Sequence, residues 1–306
     1  MKSTPSLQSL IVLRADQLSI EELTAAFNLT FTGYHVPITQ TAASLQSMIE
    51  VDDIQLHSSL VVRDTGGEDV GIGLLAVRGR RGWVGGMAVA PAWRRLGVGA
   101  WLIAKVLDQA SALELEMVDL EVLEENAAAY HLYQRAGFAD MRLLTVFGGP
   151  LAPPPEAATG STAMMEPPEP ATPIAVEEAL RRFEAFHQVP AAWQRERAAL
   201  LHMAPRLAGL ALKRRDDASG TDGVGAYLLS RHDGEGYVVM DFGSSAPSPA
   251  EQVSQAKMLL RQLLHSAPAA TLHVINVPPE DALGAALASL GCPIILRQHE
   301  MRLQLP

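Results

Sequence analysis

The chain has 306 residues and a formal net charge of −10, with 48% hydrophobic and 19% charged residues. That length suits two domains of about 150 residues, and the acidic balance argues against nucleic acid as a partner. No apolar run approaches the ~18 residues that a membrane helix needs. The single Cys292 cannot form an internal disulfide, so we expect a cytoplasmic protein. The first segment has only a short apolar run, which Arg14 ends, so we expect a strand there rather than a signal peptide.

Apolar periodicity and capping residues predict one mixed α/β domain in the first half. Ser19, Thr41 and Asn126 are predicted helix caps, and Gly137 is a predicted left-handed helix end. The predicted elements are, in order, strand 9–14, a helix from 20, a helix 42–49, strands 60–63, 70–77 and 83–89, helix 98–112, strand 117–123, helix 127–135 and strand 141–147. No seventh strand can be placed after Phe147, so we expect another half or another chain to supply it.

A stretch dense in proline, glycine and small polar residues follows this domain. Such a composition cannot bury enough surface to fold alone, so it predicts a semi-stiff linker. The predicted organisation is a first domain at 1–150, a linker at 151–173 and a second domain at 174–306. An open alternative is that residues 163–166 add a strand to one half.

The segment Arg94–Gly99, RRLGVG, lies between a predicted strand and a predicted helix. Gly97 and Gly99 allow a ligand to approach the backbone N–H groups, which a helix amino terminus leaves unpaired. The segment lacks the Lys-Ser/Thr pair of a Walker loop, and Leu102 stands where a dinucleotide fingerprint needs its third glycine. It therefore predicts a loop that binds diphosphate in another way.

The R-x-x-G-x-G pattern of this loop resembles the acyl-CoA loop of the GNAT superfamily of N-acyltransferases. Residues 120–138, LEVLEENAAAYHLYQRAGF, resemble the other half of that family's signature. The two motifs also follow one another in order along the chain. The matching positions of this second motif are Asn126, Ala129, Leu132, Tyr133, Gly137 and Phe138. The resemblance covers residues 7–147 well and 174–306 in outline, and it implies two tandem GNAT-like domains with mixed α/β sheets.

By this resemblance, acetyl-CoA is the co-substrate, no metal is needed, and an amine is the acceptor. The pantetheine arm of acetyl-CoA would lie along the fourth strand, and the diphosphate of acetyl-CoA would bind the loop. Tyr133 would be the general acid, because a phenol with a pKa near 10 stays protonated at neutral pH. The implied cofactor residues are Met87, Ala88, Val89, Arg94, Arg95, Leu96, Gly97, Val98, Gly99, Ala100 and Asn126.

The resemblance does not identify a general base, because Gly85 and Gly86 occupy the fourth-strand positions where many family members carry a glutamate. The remaining candidates are Glu121, Glu124, Glu125, His35 and a water molecule. The two glycines are expected to open space beside the thioester. The predicted substrate residues are Tyr34, His35, Trp83 and Glu121.

The second half faintly repeats the first. FTGYHVP at Phe31 resembles FEAFHQVP at Phe183, and VGIGLLA at Val70 resembles VGAYLLS at Val224. Gly137 has its counterpart in Gly291. The repeat has SSAPSPAEQ in place of the Arg-Gly loop, and Leu287 in place of Tyr133. It therefore predicts a degenerate GNAT-like domain without a cofactor site.

The predicted function is transfer of an acetyl group from acetyl-CoA to a primary amine, expected to be a small molecule, by a monomer or homodimer. One alternative is a non-catalytic acyl-CoA binder or sensor, which the missing strand-four carboxylate favours. Another is an enzyme that acetylates protein or peptide amines. A third treats the second half as an independent binding module.

Overall fold

A computed structural model describes residues 7–151, 171–214, 223–234, 236–265 and 270–306. The chain forms two compact units. The first unit consists of Met1–Arg142 with Gln298–Pro306, and the second of Leu143–Arg297. Within the described ranges, no helix combines the length and the apolar character required to cross a membrane.

The first unit is a mixed α/β domain whose helices agree closely with their predicted bounds. The Ser19 side chain accepts from the Glu22 amide, and Asn126 accepts from Ala129, so each caps the helix that follows it. Gly137 has a φ of +99° where the last helix ends. The helices are α1 (Ile20–Thr30), α2 (Ala42–Val51), α3 (Val98–Ala112) and α4 (Ala127–Arg135).

The strands of the first unit agree with prediction to within about two residues at each end. They are β1 (Ile11–Arg14), β2 (Leu60–Arg63), β3 (Asp69–Arg78), β4 (Arg81–Val89), β5 (Met117–Leu123) and the start of β6 (Ala139–Gly149). Strands β1 to β4 pair in antiparallel order, and β4 pairs with β5 in parallel. The side chains of α3 pack on one face of this sheet to form the main core.

The strand missing from the first-unit prediction comes from the carboxyl terminus of the chain. Gln298–Gln304 pair antiparallel with Leu123–Met117 of β5, and the sheet order places them between β5 and β6. Met301 of this segment is fully buried in the first unit's core. The Arg302 guanidinium also makes two hydrogen bonds to Asp119, at 2.6 and 2.8 Å.

The second unit is built in the same way. It contains β7 (Thr172–Ile174), α5 (Val176–Leu180), α6 (Phe183–Phe186), α7 (Arg197–Met203), β8 (Ala208–Lys213), β9 (Val224–His232), β10 (Gly236–Ser244), α8 (Pro249–Leu264), β11 (Thr271–Val277), α9 (Ala282–Ser289) and the first residues of β12 (Ile294–Gln304). Its strand β11 pairs with Thr145–Gly149, the end of β6. Each unit thus takes one strand segment from the other half of the sequence.

The predicted linker lies mostly outside the described residues, as does the alternative strand at 163–166. One end of it differs from prediction: Thr172 and Pro173 belong to β7, which pairs with β8. A proline is tolerated there because β7 is an edge strand. The strand segments 298–304 and 143–149 also belong to units other than those expected from the predicted domain bounds.

The faint repeat corresponds to equivalent elements. Val70 and Val224 lie on β3 and β9, the third strand of the first unit and its counterpart in the second. Gly137 and Gly291 both have positive φ, at +99° and +70°, just after a helix. A repeat in sequence is therefore a repeat in structure.

We expect Met301→Ala to destabilise the first unit by about 2–5 kcal/mol, because it leaves a cavity in the core. Met141→Ala is the matched control, since Met141 is 51% exposed, and should change stability by less than about 0.5 kcal/mol. Urea unfolding followed by tryptophan fluorescence measures both, because Trp83, Trp93 and Trp101 all lie in the first unit. Equal effects of the two variants would show that the terminal strand does not complete this unit.

Candidate active site

A cavity of about 520 Å³ opens in the first unit. Its walls come from the turn after α1, the end of β4, the loop before α3, and α4. The lining residues are Gly33, Tyr34, His35, Met87, Ala88, Val89, Arg94, Arg95, Gly97, Gly99, Ala100, Asn126, Ala128, Ala129, Leu132, Tyr133 and Arg135.

The cavity lies where β4 separates from β5. The parallel pairing runs from Arg81–Met117 to Val84–Leu120 and stops there, although β4 continues to Val89 and β5 to Leu123. Buried backbone N–H and C=O groups require hydrogen-bond partners. The divergence therefore leaves the edge of β4 from Met87 to Val89 facing a gap that can accept an extended ligand.

Gly85 forms a β-bulge at the point where the two strands separate. Leu74 pairs with Gly86 and Leu75 with Val84, so Gly85 has no partner on β3. The expectation that the two glycines leave open space was wrong. A Cβ on Gly85 would lie 2.3 Å from the Trp83 ring, and one on Gly86 would lie 3.4 Å from Phe27.

Trp83 and Glu121 are not among the residues that line the cavity. Trp83 is buried, and its indole nitrogen donates to Glu121 Oε2 at 2.7 Å. The indole folds over Gly85 because that residue lacks a side chain. Trp83 and Glu121 therefore contact each other, and their contact with a substrate stays a prediction.

The loop before α3 has the geometry of an anion site. Arg95 and Gly97 both adopt positive φ, at +64° and +84°, so the intervening amides turn toward one side as in a backbone nest. Among the residues that the structure describes, no side chain caps α3 at Gly97, so the amides of its first turn and its positive dipole end can serve a ligand. Of the predicted loop residues, Leu96 is exposed and Val98 is buried in the core, and neither lines the cavity.

Arg94, one of the implied cofactor residues, lines the cavity and donates to several backbone carbonyls. Its Nε donates to the Val89 carbonyl at 2.8 Å, and its Nη1 to that of Gly33 at 3.4 Å. Its Nη2 donates to the carbonyls of Thr30, at 3.3 Å, and Thr32. Unpaired carbonyls and the negative dipole end at the α1 carboxyl terminus attract the guanidinium there.

Two phenols meet in the cavity. Burial raises the pKa of Tyr133 well above its ordinary value, and the nearby Tyr34 adds to that rise. Burial also raises the pKa of Tyr34, which a side-chain hydrogen bond with Asn126 partly offsets. Both phenols therefore carry their protons at neutral pH.

Most of the predicted cofactor residues thus lie around one cavity, together with Tyr34 and His35. The predicted site residues did not include Gly33, Ala128 and Arg135, and Ala129 and Leu132 were named only as motif positions. Four of these lie on α4, and Ala129, Leu132, Tyr133 and Arg135 share the face that helical spacing gives them. That spacing, counted from the predicted cap at Asn126, is the signal that could have identified them.

Residues 22–138 match the model of the acetyltransferase (GNAT) family. The matched segment contains the gap, the loop and Tyr133. The first unit is a GNAT acetyltransferase domain. This family uses acetyl-CoA, and the architecture of the unit agrees with that assignment.

Curated and structural relatives agree with the GNAT assignment. Over 81 residues, the chain is 40% identical to the mycothiol acetyltransferase of Clavibacter michiganensis, a match that spans only 26% of each chain. A GCN5-related N-acetyltransferase of Sphaerobacter thermophilus superposes with a TM-score of 0.66 at 14% identity, covering 97% of this chain and 96% of that one. A tandem GNAT protein from the clavulanic acid biosynthesis pathway gives 0.63 at 14% identity, covering 96% and 98%. At these identities the structures establish the fold, which is the tandem GNAT fold.

The second GNAT-like unit also has a gap at its centre. Strand β10 pairs with β11 only from Gly236–Thr271 to Val238–His273, and a cavity of about 280 Å³ adjoins its later residues. The following helix, however, begins with a Ser248 cap and Pro249, and Glu251 lies in its first turn. A proline lacks an N–H and a carboxylate repels anions, so these features disfavour a diphosphate there.

A buried charged network occupies the centre of the second unit. Asp241 accepts from the Tyr227 hydroxyl at 2.8 Å and lies 2.9 Å from His187 Nε2. His187 Nδ1 lies 2.8 Å from the Phe183 carbonyl, which can only accept, so both ring nitrogens carry protons. Burial opposes this cation, but the Asp241 carboxylate and the hydrogen bonds outweigh it and raise the pKa of His187 to about 9.

In the described part of the chain, no three His, Cys, Asp or Glu side chains come together as a metal site would require.

We expect Gly85→Ala to displace the Trp83 indole, because the added methyl group would lie 2.3 Å from the ring. The hydrogen bond to Glu121 should break, with a loss of about 1–3 kcal/mol in unfolding free energy. Gly86→Ala is the control, since its Cβ would make only ordinary contacts. Tryptophan emission and urea unfolding compare the two variants, and an unchanged emission maximum in Gly85→Ala would contradict this packing.

We expect the second unit to lose stability as pH rises from about 6.5 to about 9. The folded pKa of His187 lies above its unfolded value, so its contribution is complete below pH 6.5 and disappears above pH 9. The loss should be about 3 kcal/mol. The control is H187Q/D241N, which removes both charges. Urea unfolding at pH 6 and pH 10 measures the change, and an equal pH dependence in wild type and control would contradict the ion pair.

Proposed function

We propose that the first unit transfers the acetyl group of acetyl-CoA to a primary amine of a small molecule. One observation carries this proposal: the β4–β5 gap, the diphosphate-type loop and the Tyr133 phenol line a single cavity. A cavity of about 520 Å³ is within the range of small-molecule sites. The partial relative named for mycothiol also favours a small acceptor.

The chain's own groups divide the binding task along the cavity. The edge of β4 at Met87–Val89 would receive the pantetheine amides, as an added strand does at a sheet edge. The amides of Arg95–Ala100 would hold the diphosphate, with charge from Arg95 and Arg135. Acetyl-CoA supplies the thioester whose carbonyl carbon the amine attacks, and its thiolate is the leaving group.

Tyr133 is the proposed donor to the leaving sulfur. Its raised pKa keeps the proton on the phenol before reaction, as this role requires. An ordinary thiol has a pKa near 8.5, so complete transfer to the thiolate is unfavourable while the phenol remains this buried. Tyr133 would therefore act first by donating a hydrogen bond that stabilises the developing negative charge.

His35 is the proposed acceptor of the amine proton. Of the candidate bases Glu121, Glu124, Glu125 and His35, it is the one that lines the cavity. Water can serve as the relay between the amine and the imidazole. Cytoplasmic location and a monomeric or dimeric state complete the proposal, and all the named groups belong to one chain.

The second candidate function is that of a non-catalytic acyl-CoA binder. The observation that favours it is the absence of a carboxylate among the described residues that line the cavity. A protein or peptide amine as acceptor is the remaining alternative for an enzyme. For the second unit, the proposal is a degenerate domain without a CoA site.

We expect thiol release from acetyl-CoA with one class in a panel of small amines. Tyr133→Phe should lower turnover by about 10²-fold or more while acetyl-CoA affinity is kept. Gly97→Ala should lower that affinity, because φ +84° in the loop disfavours a side chain. Gly79→Ala is the control, since Gly79 has a similar φ of +60° in the β3–β4 turn and no atom near its Cβ position.

The outcomes separate the candidates. Acetyl-CoA binding without turnover on any amine would favour the binder over the enzyme. Turnover with folded-protein lysines and none with small amines would reverse the acceptor assignment. Turnover that Tyr133→Phe leaves intact would remove that residue from the mechanism.

A further inference from the structure

Arg94 connects the end of β4, the end of α1 and the turn after α1 through one planar group. The guanidinium carries five N–H donors in a rigid fork. Its three nitrogens contact four backbone carbonyls: Val89 at the end of β4, Thr30 at the end of α1, and Thr32 and Gly33 in the next turn. The fork thus donates to protein carbonyls, and Arg94 also lines the cavity.

The turn that Arg94 holds leads directly into the residues proposed to meet the acceptor. Gly33 has a φ of +66°, and the Tyr34 amide donates to the Phe31 carbonyl at 3.0 Å. The Tyr34 ring packs edge-on against Phe31, with ring centroids 5.4 Å apart. Its phenol reaches Asn126, the cap of the helix that carries Tyr133.

The other end of the same residue belongs to the proposed diphosphate loop. Arg94 immediately precedes Arg95, and Gly97 follows after Leu96; the positive φ values of Arg95 and Gly97 shape the loop. A change in loop conformation must therefore move the guanidinium or break its bonds. Since those bonds also hold the turn before Tyr34, the Arg94 side chain links the loop to the turn.

We infer that Arg94 is a positioning residue that couples the diphosphate loop to the acceptor turn 31–35, so that acyl-CoA binding sets the position of Tyr34 and His35. This inference rests on the acyl-CoA site proposed above. A simple phosphate-binding role for Arg94 is the competing interpretation. The two differ in which parameter should respond to substitution.

Lysine distinguishes them because it keeps the charge but lacks the fork. As a coupling residue, Arg94→Lys should lower kcat/KM for the acceptor by about 10-fold or more, since small misplacement of reacting groups is costly. The acetyl-CoA Kd should change by less than about 3-fold. The matched control is Arg95→Gln, which should weaken acetyl-CoA binding instead.

Hydrogen exchange of peptides gives a readout that does not depend on turnover. In the ligand-free protein, Arg94→Lys should speed exchange in residues 31–36, while exchange in α3 stays unchanged. In wild type, acetyl-CoA should slow exchange both at 95–102 and at 31–36. In Arg94→Lys, only the first of these effects should remain.

A second variant reaches the turn without altering Arg94. Gly33→Ala strains the residue whose carbonyl accepts from Nη1, and should reproduce the acceptor defect with acetyl-CoA affinity kept. If Arg94→Lys retains full activity, or if it weakens acetyl-CoA binding as Arg95→Gln does, the inference is overturned. If wild type binds no acetyl-CoA, the proposed function fails, and the ligand-free exchange of residues 31–36 still decides whether Arg94 positions the turn.

Discussion

The separation of β4 from β5 is the constraint on which the site depends. Parallel strands that stayed paired beyond Val84–Leu120 would satisfy each other's backbone groups and leave no gap. The bulge at Gly85 interrupts the ladder to β3 at the same point and changes the course of β4. The strand edge then needs a partner, and a ligand with amide groups of its own can provide one. The cavity residues from the loop and α4 are arranged around that edge.

The same architecture has a different interior in each unit. In both, the fourth strand carries one extra residue, Gly85 in the first unit and Met240 in the second. The next residue is Gly86 in the first unit, which Phe27 covers, and Asp241 in the second. A buried carboxylate must be neutralised and hydrogen-bonded, and His187 and Tyr227 do this. These three central side chains of the second unit therefore bind one another.

Local signals predicted the elements of the first unit, because caps such as Ser19 and Asn126 act on their own helices. The origin of the seventh strand had no local signal, since pairing of Gln298–Gln304 with β5 depends on contacts about 180 residues apart in sequence. The sequence places the positive charge of Arg94 in the loop, but it does not indicate which groups the guanidinium contacts. The glycine at position 85 indicated space beside the backbone, but the sequence does not show that the Trp83 ring occupies that space.

The central claim is that the chain has one acyl-CoA site, built on the first unit's gap and loop, while the second unit keeps a gap without the loop. Isothermal titration calorimetry of the full chain with acetyl-CoA tests this most directly through the stoichiometry. The account predicts one molecule bound per chain. Two molecules per chain would contradict the loss of the second site, and none would contradict the first.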